Sequence, residues 1–487
     1  MAHRVDGHAH HGETRYTRAT FWRAAARLGR AGAMLITIAS ASVAAGQGPP
    51  PSPPVTYVSG FGEPLTALLL LQNASDLQTF ATGQLNFLEV EDLPTLGPIF
   101  NSRSCSTCHF QPALGGSGAF INEVRVRNNT AGGPLHIFAT DNMLTAGPQK
   151  QGGVTIFTNG MASPPLGCQI TSSKCNKSPC QREEAKRTTF STGLKICDPT
   201  SASFATGANC IAERQATPLF GLGFVEAVAD STFNALAAGQ PPDIRATVKT
   251  VNELGATRVG RFGWKDDHAT LRSFAGDAYL NEIGITNPDF SAERTTCALN
   301  KTKFGVLLDT ADDPEDTTDN GGHADIDRFA DFMRALAPPP QLPQNNDAQA
   351  GHARFDAIGC AGCHVETLTT AANPSSFVPS TTGGVPISAT LNTLLASQTF
   401  QPFSDFLLHD MGALGDGITS DAAGPTLMRT APLWGIRARS RFLHDGRAET
   451  ITDAITLHAG QGAAAAAAFQ GLSPRQQQQV IDFLNTI

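Results

Sequence analysis

Two five-residue stretches carry chemistry in this sequence, Cys105-Ser106-Thr107-Cys108-His109 and Cys360-Ala361-Gly362-Cys363-His364. Two thiols three positions apart can each add to one vinyl group of a haem, and the histidine that follows brings its imidazole to the iron from the proximal side. One such motif arises easily by chance. Two in one chain imply two covalently bound c-type haems, held by Cys105, Cys108, Cys360 and Cys363, with His109 and His364 on the irons. The rival uses of C-x-x-C, a thioredoxin-like redox pair or half of a zinc site, require a following helix of the right pattern or a second ligand pair. Neither accompanies these motifs.

Attachment of c-type haem in bacteria takes place outside the cytoplasm, and the start of the chain fits that address. Arg18, Arg23, Arg27 and Arg30 precede an apolar stretch from Ala31 to Ala45 that ends in small residues, which predicts an export signal over residues 1–45. The stretch is about 15 residues, short of the roughly 20 that span a bilayer, so no stable membrane span is expected; an uncleaved anchor is the alternative. Residues 46–60 form a Pro-rich leader. The expected location is periplasmic or secreted. Six further cysteines, Cys168, Cys175, Cys180, Cys197, Cys210 and Cys297, permit disulfides in such a compartment, and five of them crowd into a Cys-rich insertion at residues 160–212. A thiolate zinc site is the rival reading there.

The elements that must position these groups are helical. Asp325 to Ala337 has apolar residues at Ile326, Phe329, Ala330, Met333 and Leu336, a helical period that stops at Pro338-Pro339-Pro340. Ala348 to Ile358 then reads as the helix leading into the second motif. Ser473-Pro474 starts a last helix whose Val480, Ile481, Phe483 and Leu484 can pack back on it. The expected division is an N-terminal haem lobe at residues 61–337 and a C-terminal cytochrome c-like haem domain at 338–487. The run Ala463 to Ala468 has no evident chemistry. At 487 residues the chain has room for about three domains. Its 47 Gly and 31 Pro against 7% aromatic residues predict long irregular stretches. A net charge of −8 offers no phosphate-tracking face, which excludes nucleic acid as an expected partner.

Several stretches resemble one family, the bacterial di-haem oxidoreductases related to di-haem cytochrome c peroxidase and to the MauG maturase. They are Gly97 to Asn101 through Cys105 to Gly118, Thr217-Pro218-Leu219-Phe220-Gly221-Leu222-Gly223-Phe224-Val225-Glu226-Ala227, Gly260-Arg261-Phe262-Gly263-Trp264-Lys265 to Gly284-Ile285-Thr286-Asn287-Pro288, Asp405 to Gly412, and Thr430-Ala431-Pro432-Leu433-Trp434-Gly435 to Ala448. The resemblance implies a mainly α protein with long irregular loops and two cytochrome c-like haem lobes. It also implies a calcium ion between the lobes, hydrogen peroxide as the small-molecule substrate and a small redox protein, a cytochrome or cupredoxin, as electron donor.

The sixth position of each iron decides between electron transfer and substrate activation. In the relatives the sixth ligand of the C-terminal haem lies on the helix after the His-Asp-Gly turn, which implies His458 here. Ile451, Ala454, Ile455 and His458 share one face of that helix. Met411 and Met428 are the alternative ligands, and His444 reads as a structural corner beside Asp445. For the N-terminal haem the sequence has no histidine between His136 and His268, which argues for an open position, with Met143 and Met161 as possible ligands. Glu282 stands where the relatives keep a proton-shuttling glutamate after a haem-bridging tryptophan, here Trp264. Phe274 replaces their common glutamine, and Glu226 is the second candidate acid. Arg261 and Lys265 are candidate partners for haem propionates. The expected function is therefore a di-haem peroxidase or peroxide-driven oxidase; the alternative is a non-catalytic electron-transfer cytochrome.

Overall fold

The computed structural model describes residues 60–66, 74–91, 99–100, 103–118, 121–127, 139–143, 154–158, 186–190, 210–253, 255–291, 318, 322–374 and 387–487. The export signal, almost all of the Pro-rich leader, and Cys168, Cys175, Cys180, Cys197 and Cys297 lie outside these residues. So does Met161.

Ten α-helices stand among the described residues. The first, α1 (Ala74–Leu88), turns Phe80, Gly83 and Phe87 inward. They meet the helix read from Asp325, which spans Asp325–Ala335 and buries Ile326, Phe329, Ala330 and Met333. Between these lie α2 (Leu222–Glu226), α3 (Asp230–Gly239) and α4 (Leu271–Ala278), so the Asp325 helix is α5. Thr270 caps α4 by accepting from the Ser273 amide, and the helix widens into a π-helical turn at Tyr279–Ile283 that Gly284 closes. Such widened turns recur at functional sites.

The C-terminal part starts with α6 (Asn346–Ala357), capped by the Asn345 side chain. There follow α7 (Ala389–Leu395), α8 (Ile451–Thr456), α9 (Ala463–Gln470) and α10 (Pro474–Leu484), the last with Ser473 and Gln476 in a reciprocal cap. Helices α6 and α10 cross in direct contact. A Cβ on Gly351 would lie 1.8 Å from the Gln479 carbonyl oxygen, so only glycine admits this crossing. Helix α8 ends at Thr456, which leaves His458 just beyond it rather than on its last turn.

The N-terminal region also contains strands, where composition predicts long irregular stretches. Ile121–Arg127 pairs antiparallel with Ala139–Met143 on one side and Cys210–Gln215 on the other, and a second three-stranded sheet joins Ile99–Phe100, Val154–Thr158 and Lys186–Phe190. The first of these alternates valine and arginine at Val124-Arg125-Val126-Arg127, a period-two pattern. The larger hydrophobic cluster runs across Pro338: Leu395, Phe400 and Trp434 pack with Phe220, Leu222 and Phe332. A smaller cluster of Phe355, Phe403, Phe442, Phe469 and Phe483 lies around the second motif. No helix among the described residues is long and apolar enough to cross a membrane.

Candidate functional site

The second motif is presented by the end of α6. Gly359 takes a left-handed conformation (φ +91°) that reverses the chain, and Cys360 to Gly362 form one tight helical turn. The His364 amide donates to the Cys360 carbonyl at 3.0 Å, which fixes the imidazole beside the two thiols. The His364 ring shares a Nδ1 hydrogen bond of 2.9 Å with the Phe403 carbonyl, and His458 makes the same bond to Ala454 at 2.7 Å. A carbonyl can only accept, so both rings carry hydrogen on Nδ1 and the lone pair on Nε2.

The two rings face each other across a cavity with centroids 6.4 Å apart and planes at 60°. Nitrogen–metal bonds run at roughly 2 Å, so the spacing leaves room for a metal that His364 and His458 would hold. Burial, reinforced by His458, pushes His364 down to about 4, and burial lowers His458 as well. Neutral rings are what metal ligation needs.

The cavity has a volume of about 350 Å³. Met411 and Met428, the alternative ligands, line it, and so do Ala464, Ala465 and Ala466 of α9. The small side chains of the alanine run leave room here for a flat group. Arg439 also lines the cavity; its guanidinium gives one hydrogen bond, to Gln215 Oε1 at 3.0 Å, while its buried Nε has no partner. Burial alone pushes this cation down to about 10. A haem propionate is the anion that would satisfy it. Two thiols and two imidazoles along one cavity, with apolar walls and an arginine short of a partner, together fit a haem. His364 and His458 would hold its iron and Arg439 a propionate. Arg261 and Lys265, the cations singled out from sequence, are committed elsewhere. Arg261 pairs with Asp230 and bonds the Val228 carbonyl, and Lys265 pairs with Asp416 at 2.9 Å.

Trp264 and His444 line the same cavity, ring edge to ring face at 6.2 Å. Trp264 donates its indole N–H to the Gln215 carbonyl at 2.8 Å. His409 was not singled out, although it lies in one of the family-like stretches. It is buried, bonds Asp405 at 2.9 Å through Nε2, and its Nδ1 lies 3.5 Å from the Cys363 sulfur. Burial opposes its charge, yet the Asp405 hydrogen bond and the Cys363 sulfur outweigh it and push it up to about 10. The His-Asp pair four residues apart was the only signal available in the sequence.

The first motif has different company. Cys105 to Thr107 form the same tight turn, and the His109 amide donates to Cys105 at 3.1 Å. The His109 ring shares a 3.0 Å Nδ1 hydrogen bond with the Gly116 carbonyl and packs against Phe87 with centroids 5.9 Å apart. Again Nε2 carries the lone pair, so this ring too fits proximal ligation. Burial first, then the Glu91 carboxylate, with Asp325 and Glu282 adding, pushes the Cys105 thiol up to about 12. Glu282 thus stands within electrostatic reach of this motif, on the π-helical turn.

Glu226 is placed otherwise. It is fully buried, clamped by Arg334 at 2.7 Å, and its second oxygen accepts the Leu271 amide at the start of α4. Both oxygens hold the scaffold together. Phe274 stacks on Phe262 and touches His268. Ser440, next to Arg439 of the cavity wall, donates to Gln111, two residues past His109, at 2.9 Å. Among the described residues no group of three or more His, Cys, Asp or Glu side chains is arranged to hold a metal ion, the expected calcium included.

The family described as "Di-haem oxidoreductase, putative peroxidase" matches residues 201–487. Among solved structures the chain is similar to hydrazine synthase of Kuenenia stuttgartiensis pressurised with 20 bar xenon, at 18% identity and a TM-score of 0.22, over 34% of this chain and 55% of that one. This chain thus spans about half of that chain's length. No curated protein matches it. The family match takes in more than half of the chain, with His364, His458 and Trp264 all inside it, and on that ground the protein belongs to the di-haem oxidoreductases.

Proposed function

We propose that the chain is an exported di-haem c-type oxidoreductase that reduces peroxide at the His109 centre with electrons passed through the His364 centre. A haem covalently held at each motif would supply the redox iron. The observation that carries the reading is the His364–His458 pair, 6.4 Å apart across an apolar cavity with both Nδ1 atoms on backbone carbonyls. A site filled on both faces passes electrons and leaves substrate chemistry to the other centre. There the carboxylates of Glu91, Asp325 and Glu282 lie within electrostatic reach of the Cys105 thiol, and carboxylates are groups that move protons.

Peroxide cleavage requires one proton to leave the near oxygen and reach the far one. Glu282 takes and returns that proton. Trp264, packed between the cavity and the Gln215 carbonyl, is the bridge along which charge leaves the C-terminal centre. Electrons arrive from a small redox protein. The test is stopped-flow reaction of the holoprotein with hydrogen peroxide. Glu282→Gln keeps the shape and loses the base, so peroxide binds as before while its cleavage slows by roughly 100-fold or more. An unchanged rate removes Glu282 from this role, and no reaction with the unaltered protein removes the peroxide reading.

A further inference from the structure

Tyr279 is buried, at 2% exposure, on the π-helical turn three residues before Glu282. The other tyrosines, Tyr16 and Tyr57, precede the described residues. Its phenol donates to Glu91 Oε1 at 3.1 Å, a hydrogen bond between residues 188 positions apart. Glu91 in turn is pinned to the chain just ahead of the first motif, its amide donating to the Arg103 carbonyl at 2.8 Å and its own carbonyl accepting from Arg103 Nε at 2.6 Å. The Tyr279 ring meets Phe329 edge to face at 5.0 Å, Phe329 meets Phe87 at 6.3 Å, and Phe87 meets the His109 imidazole at 5.9 Å. An unbroken series of ring contacts therefore leads from the phenol to the proximal histidine.

Oxidising a phenol by one electron makes its O–H strongly acidic, so the step needs a base already in place to take the proton. Tyr279 has one in the Glu91 carboxylate. Trp264 has none, because its N–H points at the Gln215 carbonyl, which cannot accept a proton, and the Arg429 cation sits 5.9 Å from its ring.

We infer that Tyr279 is a redox-active residue that gives one electron, through Phe329 and Phe87, to the His109 centre while its phenolic proton passes to Glu91. The inference rests on the peroxide reading above. Hydrogen peroxide is the oxidant: its reduction to two waters takes two protons from solvent and two electrons. One electron comes from the C-terminal centre, refilled by the small redox protein, and one from Tyr279, which becomes a neutral phenoxyl radical while Glu91 becomes a carboxylic acid. An electron from the C-terminal centre and the proton from Glu91 then restore the phenol.

The experiment is freeze-quench paramagnetic resonance of the holoprotein, grown with ring-deuterated or ordinary tyrosine and mixed with hydrogen peroxide. The expected radical signal is narrowed by the deuterium and absent in Tyr279→Phe. In Glu91→Gln, which keeps an acceptor oxygen and loses the base, it forms roughly 100-fold more slowly. A deuterium-sensitive signal that survives Tyr279→Phe overturns the inference, and so does peroxide consumption with no such signal. If peroxide is not consumed, the peroxide reading has failed. The tyrosine is then decided by flash-photolysis oxidation of the same holoprotein with a ruthenium tris-bipyridine oxidant. A radical dependent on Tyr279 and Glu91 upholds the inference, and one indifferent to both overturns it.

Discussion

Around Cys360 to His364 the walls are largely hydrocarbon: His458 stands opposite His364 among methionines and a run of alanines, joined by the Asp405–His409 pair beside Cys363 and by Arg439. Around Cys105 to His109 they are the carboxylates of Glu91, Asp325 and Glu282, with a phenol bonded to the first. The two five-residue motifs build nearly the same turn, so the difference in chemistry is made by what the rest of the chain brings to them. An apolar site with an imidazole on each face reorganises little when an electron arrives. One with carboxylates in electrostatic reach, and a phenol bonded to one of them, can couple electrons to protons. The lesson is that the attachment motif says where a haem goes, and the surroundings say what it does.

The largest effect that separates the two centres is loss of one haem without the other. Replacing Cys105 and Cys108 by alanine is expected to lower the pyridine haemochrome ratio from two haems per chain to one, and replacing Cys360 and Cys363 to remove the other. A ratio that stays at two in either variant breaks the assignment of that motif.

Next in size is the sixth position of the C-terminal centre. His458→Gly is expected to open it to added imidazole, and His458→Met to raise its potential, since imidazole on both faces favours the lower one. The spectrum of the His109 centre stays as it was. If His458→Gly leaves both spectra untouched, Met411 becomes the ligand and the contrast between the centres loses its basis.

A smaller effect concerns the ion pairs that join the regions. Asp416 is buried between Arg214 and Lys265, at 2.7 and 2.9 Å. Burial opposes its charge, yet the two cations outweigh burial and hold it at about 2, below its ordinary 3.8. A carboxylate lowered on folding stabilises the fold fully above its unfolded value and loses that contribution as pH falls through the folded one. The expected loss between about pH 5 and about pH 2 is roughly 2 kcal/mol. Thermal unfolding of Asp416→Asn across that range should show a correspondingly flatter decline, and an identical slope would remove the triad from the account.

What could be read in the sequence was local. The motifs are contiguous, α5 and α10 follow from apolar periods and a proline start, α6 from its place ahead of the second motif, and His458 from the family resemblance after the His-Asp-Gly turn. What could not be read depends on contacts far apart in the chain. Glu226 meets Arg334 across 108 residues and Tyr279 meets Glu91 across 188, and no spacing rule reports such pairs. Arg261 and Lys265 stood near Trp264 in sequence and looked suited to an anion, but Asp230 and Asp416 take them inside the fold. Arg439 and His409 gained meaning only once the cavity wall had been assembled around them.

The central claim, one closed centre and one reactive centre, is tested most directly by electron paramagnetic resonance of the fully ferric protein before and after hydrogen peroxide. The account predicts one low-spin signal of bis-imidazole type, unchanged in His109-directed variants, and one high-spin signal that alone responds to peroxide. Two low-spin signals, both indifferent to peroxide, would contradict it and make the protein an electron carrier.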